Sequence, residues 1–475
     1  MSLSLRRPRT HAGQKLVKAL TLGIFCGFVV LSGATLTRAQ EYILDNGPMP
    51  DSVDKLNGAL DLPFLALAPF PWLLQTVRDR VRDTLRPYLK DLPPFFRDSK
   101  ITMKVRSFYF NRDIREPGPN SANEAFTLGG SLSYESGWVH DFFSGGLEFF
   151  TSQRLYAPDN RDGTLLLRPG QVSYSVLGRA YAKFKYKQYT ATLYRQYLRL
   201  PYVNKQDNRM TPNTFEAYQL EGKFKLVQFI AGYVRKIKPR NSSGFLSMSE
   251  RAGATGGRDR GMGMAGFRLT PIKAGSFGVI NYYVPDTLNI LYTEADYTWE
   301  VTKKFGVKLQ GQFTDQRSVG GDDLIGKFDT RVGGAQLALS YDDILLRAAF
   351  SVTASGAAIQ SPYGSYPGYL SLIEKNFYRA GEKAWLLGLS YDAEKLIRGV
   401  AFTFNFARGV GARDADTRSS LPDQTEYDIT VDYRPDIGLL RGLWFRIRNA
   451  YVDFSDDGGS TNNFRFIVNY ELGLL

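Results

Sequence analysis

The sequence predicts an all-β fold, a transmembrane antiparallel β-barrel of about 18 strands with long outer loops, short periplasmic turns and an N-terminal extension. Three observations point there. From Lys100 onward, apolar and polar residues alternate with period two. Connections between the alternating stretches fall into a long and a short class that take turns. Mean hydropathy is negative and no long apolar run follows residue 37, which excludes a helical membrane protein but not a barrel.

Residues 1–39 read as a cleaved signal peptide. Arg6, Arg7, Arg9, Lys15 and Lys18 form a basic start, an uncharged and mostly apolar run extends from Ala19 to Thr37, and Thr37-Arg38-Ala39 places small side chains where cleavage before Gln40 requires them. Six positive charges of the net +13 lie in this segment. The remainder is mildly basic, not the one-sided excess of a nucleic-acid binder. The single cysteine, Cys26, leaves with the signal, so disulfides, cysteine nucleophiles and cysteine-ligated metals are excluded.

Residues 40–97 form the extension, periplasmic or plug-like, with one amphipathic helix from Trp72 to about Leu89. Leu74, Val77, Val81, Leu85 and Tyr88 recur at helical spacing, while Arg78, Asp79, Arg80, Arg82, Asp83 and Arg86 occupy the polar side. Pro71 suits a first turn, Pro87 ends or kinks the helix, and Pro93-Pro94 marks the boundary.

Residues 98–475 form the barrel. Phe126, Leu128, Gly130, Leu132 and Tyr134 alternate with polar neighbours, and so do Val400 to Phe406, Tyr427 to Tyr433 and Phe464 to Leu472. Short turns are expected at Tyr186-Lys187-Gln188, near Lys225, at Val301–Lys304 and at Tyr341-Asp342-Asp343. Long polar loops are expected at about 154–174, 198–214, 237–259, 315–330, 354–383 and 408–425. Counting alternately gives about nine long loops and eight short turns.

If the apolar set faces lipid, the complementary set faces a water-filled interior. That set is polar, and closure brings the first and last strands together, so Arg106, Arg112, Arg446, Arg448 and Arg465 are expected on one wall. Arginine is always charged and pairs carboxylates in a fork, so such a wall would guide small anions. Glu135, Glu221, Glu294, Asp296, Asp428 and Asp432 could balance it. Asp207 and Arg209, in the stretch 207–215, are the best candidates for an inward-folded constriction, with a surface turn as the competing reading of the same stretch. Arg379, Glu382 and Lys383, in 376–385, form a second candidate.

These stretches resemble the OprD-type outer-membrane porins over about residues 100–475. The resemblance rests on Tyr109-Phe110-Asn111-Arg112-Asp113, Asp207 to Phe215, Arg379 to Trp385, Gly442 to Ala450, and the end Asn469 to Leu475. It implies an 18-stranded barrel with an arginine ladder and inward-folded loops. It also implies passive uptake of small carboxylate-bearing solutes, with some members resembling chitooligosaccharide channels. The long extension and the terminal Leu475, in place of a terminal aromatic, depart from the pattern.

An enzyme is not expected. Beyond the signal the only histidine is His140, in a turn at the rim, and no Gly-x-Ser-x-Gly elbow, His-Glu-x-x-His helix or phosphate loop occurs. The acid pairs Asp322-Asp323 and Asp456-Asp457 read as solvated loop charge. No cofactor or metal is expected. The expected partners are outer-membrane lipid, small polar solutes and the machinery that assembles outer-membrane barrels, with a homotrimer as a possible assembly. An adhesin or receptor acting through its outer loops is the alternative from another class.

Overall fold

The computed structural model describes residues 70–475 apart from 116–120, 256–257, 273, 322–323, 437–439 and 456–457. The expected signal segment, residues 40–69 of the extension and both loop acid pairs lie outside the described residues.

Helix α1 spans Phe70–Leu89 and α2 spans Pro94–Arg97. Pro87 sits inside α1, and the helix stops two residues beyond it. Proline removes one helical hydrogen bond and crowds the preceding turn, so it is tolerated only near an end.

Strands follow without interruption: β1 Lys100–Arg115, β2 Ser121–Glu135, β3 Phe143–Tyr156, β4 Tyr174–Tyr186, β5 Tyr189–Gln196, β6 Thr214–Phe224 and β7 Val227–Lys238. The two-residue β8, Leu246–Ser247, and helix α3, Met248–Arg251, precede β9, Met262–Ile272. Then come β10 Gly275–Val284, β11 Leu288–Glu300, β12 Phe305–Arg317, β13 Asp329–Tyr341, β14 Ile344–Thr353 and β15 Lys383–Asp392. Last are β16 Val400–Val410, β17 Gln424–Tyr433, β18 Leu443–Phe454 and β19 Ser460–Gly473.

Each strand pairs antiparallel with the next, β7 passes directly to β9, and β19 returns to β1. The closing register runs from Thr102 opposite Gly473 to Arg115 opposite Ser460. Eighteen strands thus close into a barrel, with β8 as a short addition to β7. Closure leaves no sheet edge, so the backbone groups are paired between strands and can sit in hydrocarbon.

Connections segregate by length. One end carries the long loops 157–173, 197–213, 239–261, 318–328, 354–382 and 411–423, together with three short links. The expectation of nine long loops is thus corrected to six. At the other end the hairpins at Lys187, Lys225 and Asp342 have two-residue turns whose first residue has φ of 53°, 49° and 50°. Positive φ there lets the turn match the twist of its strands.

The polarity is that of a protein with lipid outside. Leu387 and Phe404 are 54% and 46% exposed on the outer face, whereas inward Glu426 and Arg465 are 0% and 2% exposed. One expectation needs correcting. The inner wall is not uniformly polar, because Tyr282, Ile290, Tyr292 and Val332 pack against Tyr202, Val203, Tyr363 and Tyr366 from two inward-folded loops. A loop that enters a barrel must bury its apolar side against something, and this wall supplies the surface.

Replacing Leu387, central on the outer face of β15, with Arg places a charge in hydrocarbon. We expect a loss of about 2–4 kcal/mol, read from denaturant unfolding in lipid vesicles; a change within 0.5 kcal/mol, an ordinary surface effect of about that size, would contradict the assignment of faces.

Candidate functional site

Loops 197–213 and 354–382 fold inward and reach the wall made by β18, β19 and β1. Strand parity sends Arg106 and Arg112 of β1, Arg446 and Arg448 of β18, and Arg465 of β19 inward. Pairing places Arg448 directly opposite Arg465, with Arg465 opposite Phe110 and Arg106 opposite Asn469. The five arginines expected on one wall occupy three adjacent strands.

Loop 197–213 reaches this wall through Asp207 and Arg209. Arg106 donates through Nη1 to Asp207 Oδ1 at 2.7 Å and through Nε to Asn469 Oδ1 at 2.7 Å, and also binds the Arg209 carbonyl. Lys205 Nζ lies 3.5 Å from the other Asp207 oxygen. Burial alone would raise the Asp207 carboxyl, but Arg106 and Lys205 hold it below the usual carboxylate range. Arg209 is buried, donates to the carbonyls of Thr164 at 2.7 Å and Asn208 at 2.8 Å, and lies 5.0 Å from the centre of the Phe110 ring. The Arg465 guanidinium lies 4.9 Å from the same ring. The aromatic face accepts both cations and spaces them.

Loop 354–382 reaches the wall at Ile373, Glu374 and Lys375. Glu374 accepts from Arg112 Nη1 at 2.9 Å and from the Asn463 amide, and lies 3.7 Å from Arg465 Nη2. Arg465 Nη2 also donates to the Ile373 carbonyl at 2.9 Å. From β17, Glu426 accepts the backbone N–H groups of Glu374 and Lys375, each at 2.8 Å, and Asp428 accepts that of Ile373 at 3.2 Å. Desolvation of Glu374 works against its charge, but Arg112, Arg465 and Asn463 outweigh it and hold the carboxyl below its ordinary value.

The other arginines differ in how fully they are matched. Arg446 makes a two-pronged pair with Asp432 at 2.7 and 2.9 Å and lies over Trp444. Arg448 donates to Thr430 Oγ1 at 3.2 Å and has no carboxylate within ion-pair distance among the described residues. On the turn side of the constriction a cavity of about 630 Å³ is lined by Lys104, Arg106, Arg179, Arg199 and Arg434 together with Glu135, Glu148, Asp207 and Glu471; Lys104 pairs with Glu471 and Arg179 with Glu148. Exposed Arg199 has no described ion-pair partner, and Arg434 lies over Trp444, 4.6 Å from the ring centre.

The second expected constriction group behaves differently. Arg379 and Glu382 pair at 2.8 Å, with Arg379 Nη1 on the Pro422 carbonyl and Gln424 on Glu382. They clasp the root of loop 354–382 to its neighbours. Lys383 alternates with buried Ala384 and Leu386 and shares the outer face of β15 with Trp385 and Leu387, so it does not line the lumen. His140 is exposed in the turn between β2 and β3, with φ of 47°.

Glu374 and Glu426 were not singled out from the sequence. Glu374 lies in a long polar loop with no distinguishing motif, and it meets Glu426 only because loop 354–382 crosses the lumen to β17. Tertiary contact, not local pattern, selects these two acids.

Both loop carboxylates have lowered folded-state values, so their stabilisation is present above the unfolded values and lost as pH falls through the folded ones. We expect steady single-channel conductance from pH 7 down through the ordinary carboxylate range, then larger and noisier currents at more acid pH, as Glu374 and Asp207 protonate below their ordinary values. Glu374→Gln should show the noisy state at pH 7; steady currents from that variant would exclude Glu374 as the loop anchor.

The profile of a family described as outer membrane porin, OprD family, matches residues 93–474. Among solved structures, OccK9 (OpdG) of Pseudomonas aeruginosa is 24% identical with a TM-score of 0.73, covering 80% of this chain and 99% of that one. A BenF-like porin from Pseudomonas fluorescens Pf-5 is 19% identical with a TM-score of 0.72, covering 80% and 100%. OpdK of Pseudomonas aeruginosa, solved with vanillate, is 19% identical with a TM-score of 0.71 and the same coverage. None of the curated proteins compared matches the chain. The barrel and its loop-narrowed lumen agree with the family match: the chain belongs to the OprD family of bacterial outer-membrane porins.

Proposed function

We propose that this porin passes small carboxylate-bearing solutes, such as amino acids, peptides or organic acids, and that its lumen arginines guide them. The observation that carries the reading is the set of cations that have no carboxylate within ion-pair distance among the described residues. Arg106, Arg112, Arg446 and Arg465 are matched by Asp207, Glu374 and Asp432 and hold the walls and loops in place. Arg448, Arg199 and Arg434 are not so matched. A solute carboxylate could exchange between such sites, each attractive enough to admit it and weak enough to release it.

OpdK, a structural relative, was solved with vanillate, an aromatic carboxylate. That supports the same solute class here. An oligosaccharide channel would use open aromatic faces for stacking, but Arg434 and Arg446 both lie over Trp444. The porin reading requires no catalytic residue, and the paired acids described above act as anchors for loops.

In planar bilayers under a salt gradient, we expect the wild-type channel to favour anions. The double variant Arg199→Glu, Arg448→Glu should lose several-fold in anion-to-cation permeability, with heat-modifiable migration in detergent as the control for folding. An unchanged reversal potential in the folded variant would remove the guiding role. Liposome swelling compares solute classes directly: benzoate or glutamate should enter faster than an uncharged oligosaccharide of similar size.

A further inference from the structure

Helix α1 precedes the region matched by the family profile, which begins at residue 93. It nevertheless sits against the barrel. Val81 packs on a cluster of Met103, Val105, Leu443, Val468, Tyr470 and Leu472, and Leu85 is buried. Those six residues belong to the outward-facing sets of β1, β18 and β19. Elsewhere in the barrel the corresponding positions, Leu387, Phe404 and Ile429 among them, are open to lipid. The helix therefore lies on the outside of the wall, across the seam where the last strand meets the first.

Its depth follows from the residues it touches. Leu443 begins β18, Leu472 is near the end of β19 and Met103 is near the start of β1, all at the turn end. Exposed Tyr186, Phe224, Trp299 and Tyr341 mark the same end around the barrel. Such aromatics occupy the boundary between hydrocarbon and headgroups, and short turns face the periplasm. A helix docked here lies in the inner-leaflet interface.

Its polar side carries five cations, Arg78, Arg80, Arg82, Arg86 and Lys90, against two exposed acids, Asp79 and Asp83. Arg78, Arg82, Arg86 and Lys90 recur every four residues, and the Lys90 N–H extends the helix by bonding to the Arg86 carbonyl at 3.2 Å. Arg78 is paired with Asp79 at 2.8 Å, whereas Arg80, Arg86 and Lys90 are exposed. An amphipathic helix with its apolar stripe against the wall and cations at headgroup level has the arrangement that binds an anionic membrane surface. We propose that α1 is a lipid-binding clasp: its cationic side engages anionic phospholipid headgroups of the inner leaflet while Val81 packs on the β1–β19 seam.

The test is hydrogen–deuterium exchange over residues 70–89 of the full chain in nanodiscs of phosphatidylcholine alone or with phosphatidylglycerol. The expected result is at least several-fold slower exchange with phosphatidylglycerol, abolished in the variant Arg80→Gln, Arg82→Gln, Arg86→Gln, Lys90→Gln. Equal exchange in both lipids for the wild type would overturn the headgroup interaction. A second variant, Val81→Asp, should speed exchange in both lipids while leaving the barrel's heat-modifiable migration intact. Wild-type protection in that variant would overturn the docked geometry.

Discussion

A peptide group cannot remain unpaired in hydrocarbon, and the pairing of β1 with β19 satisfies that constraint for the whole wall. Everything else depends on this closure. It fixes side-chain parity, so every second residue faces lipid, and it encloses a lumen. It also brings Arg106 and Arg112 from the start of the barrel beside Arg465 from its end, more than 350 residues apart in sequence. The charged wall is therefore a product of topology.

An enclosed lumen of this size must be either filled or left as water. Here it is divided. On one side, Tyr282, Tyr292 and Val332 receive apolar parts of the two inward loops, and this forms a core inside the barrel. On the opposite side, the same loops present Asp207 and Glu374 to the arginines. Each loop is thus held by greasy contact along part of its length and by ion pairs at its tip. Removing Arg112 would leave the buried carboxylate of Glu374 short of a counter-charge at a cost, so the tip of loop 354–382 is well fixed. The arginines left unmatched remain available to solutes.

Much of this was legible in the sequence. Period-two alternation gave the faces, the spacing of turn residues gave the strand number, and parity gave the inward direction of the five wall arginines. Asp207 and Arg209 were visible as charges in a loop too long for a hairpin. What was hidden is the set of partners. Nothing local marks Glu374 as the acid that will meet Arg112, or Glu426 as the acceptor for two loop N–H groups, because those meetings require a loop to cross the lumen. Lys383 was misjudged for a simpler reason: it begins β15 in the outward register, and one residue of offset reverses the face. The apolar inner wall escaped notice because alternation cannot distinguish tyrosines facing a loop from tyrosines facing lipid.

Arg448 and Arg465 stand directly across from one another on the final hairpin. Like charges so placed repel in an antiparallel pair. Alone, that hairpin would be electrostatically incomplete, since the carboxylate beside Arg465 arrives from loop 354–382, which is made earlier in the chain. The last hairpin of the barrel is thus electrically completed by a loop from the middle of the chain.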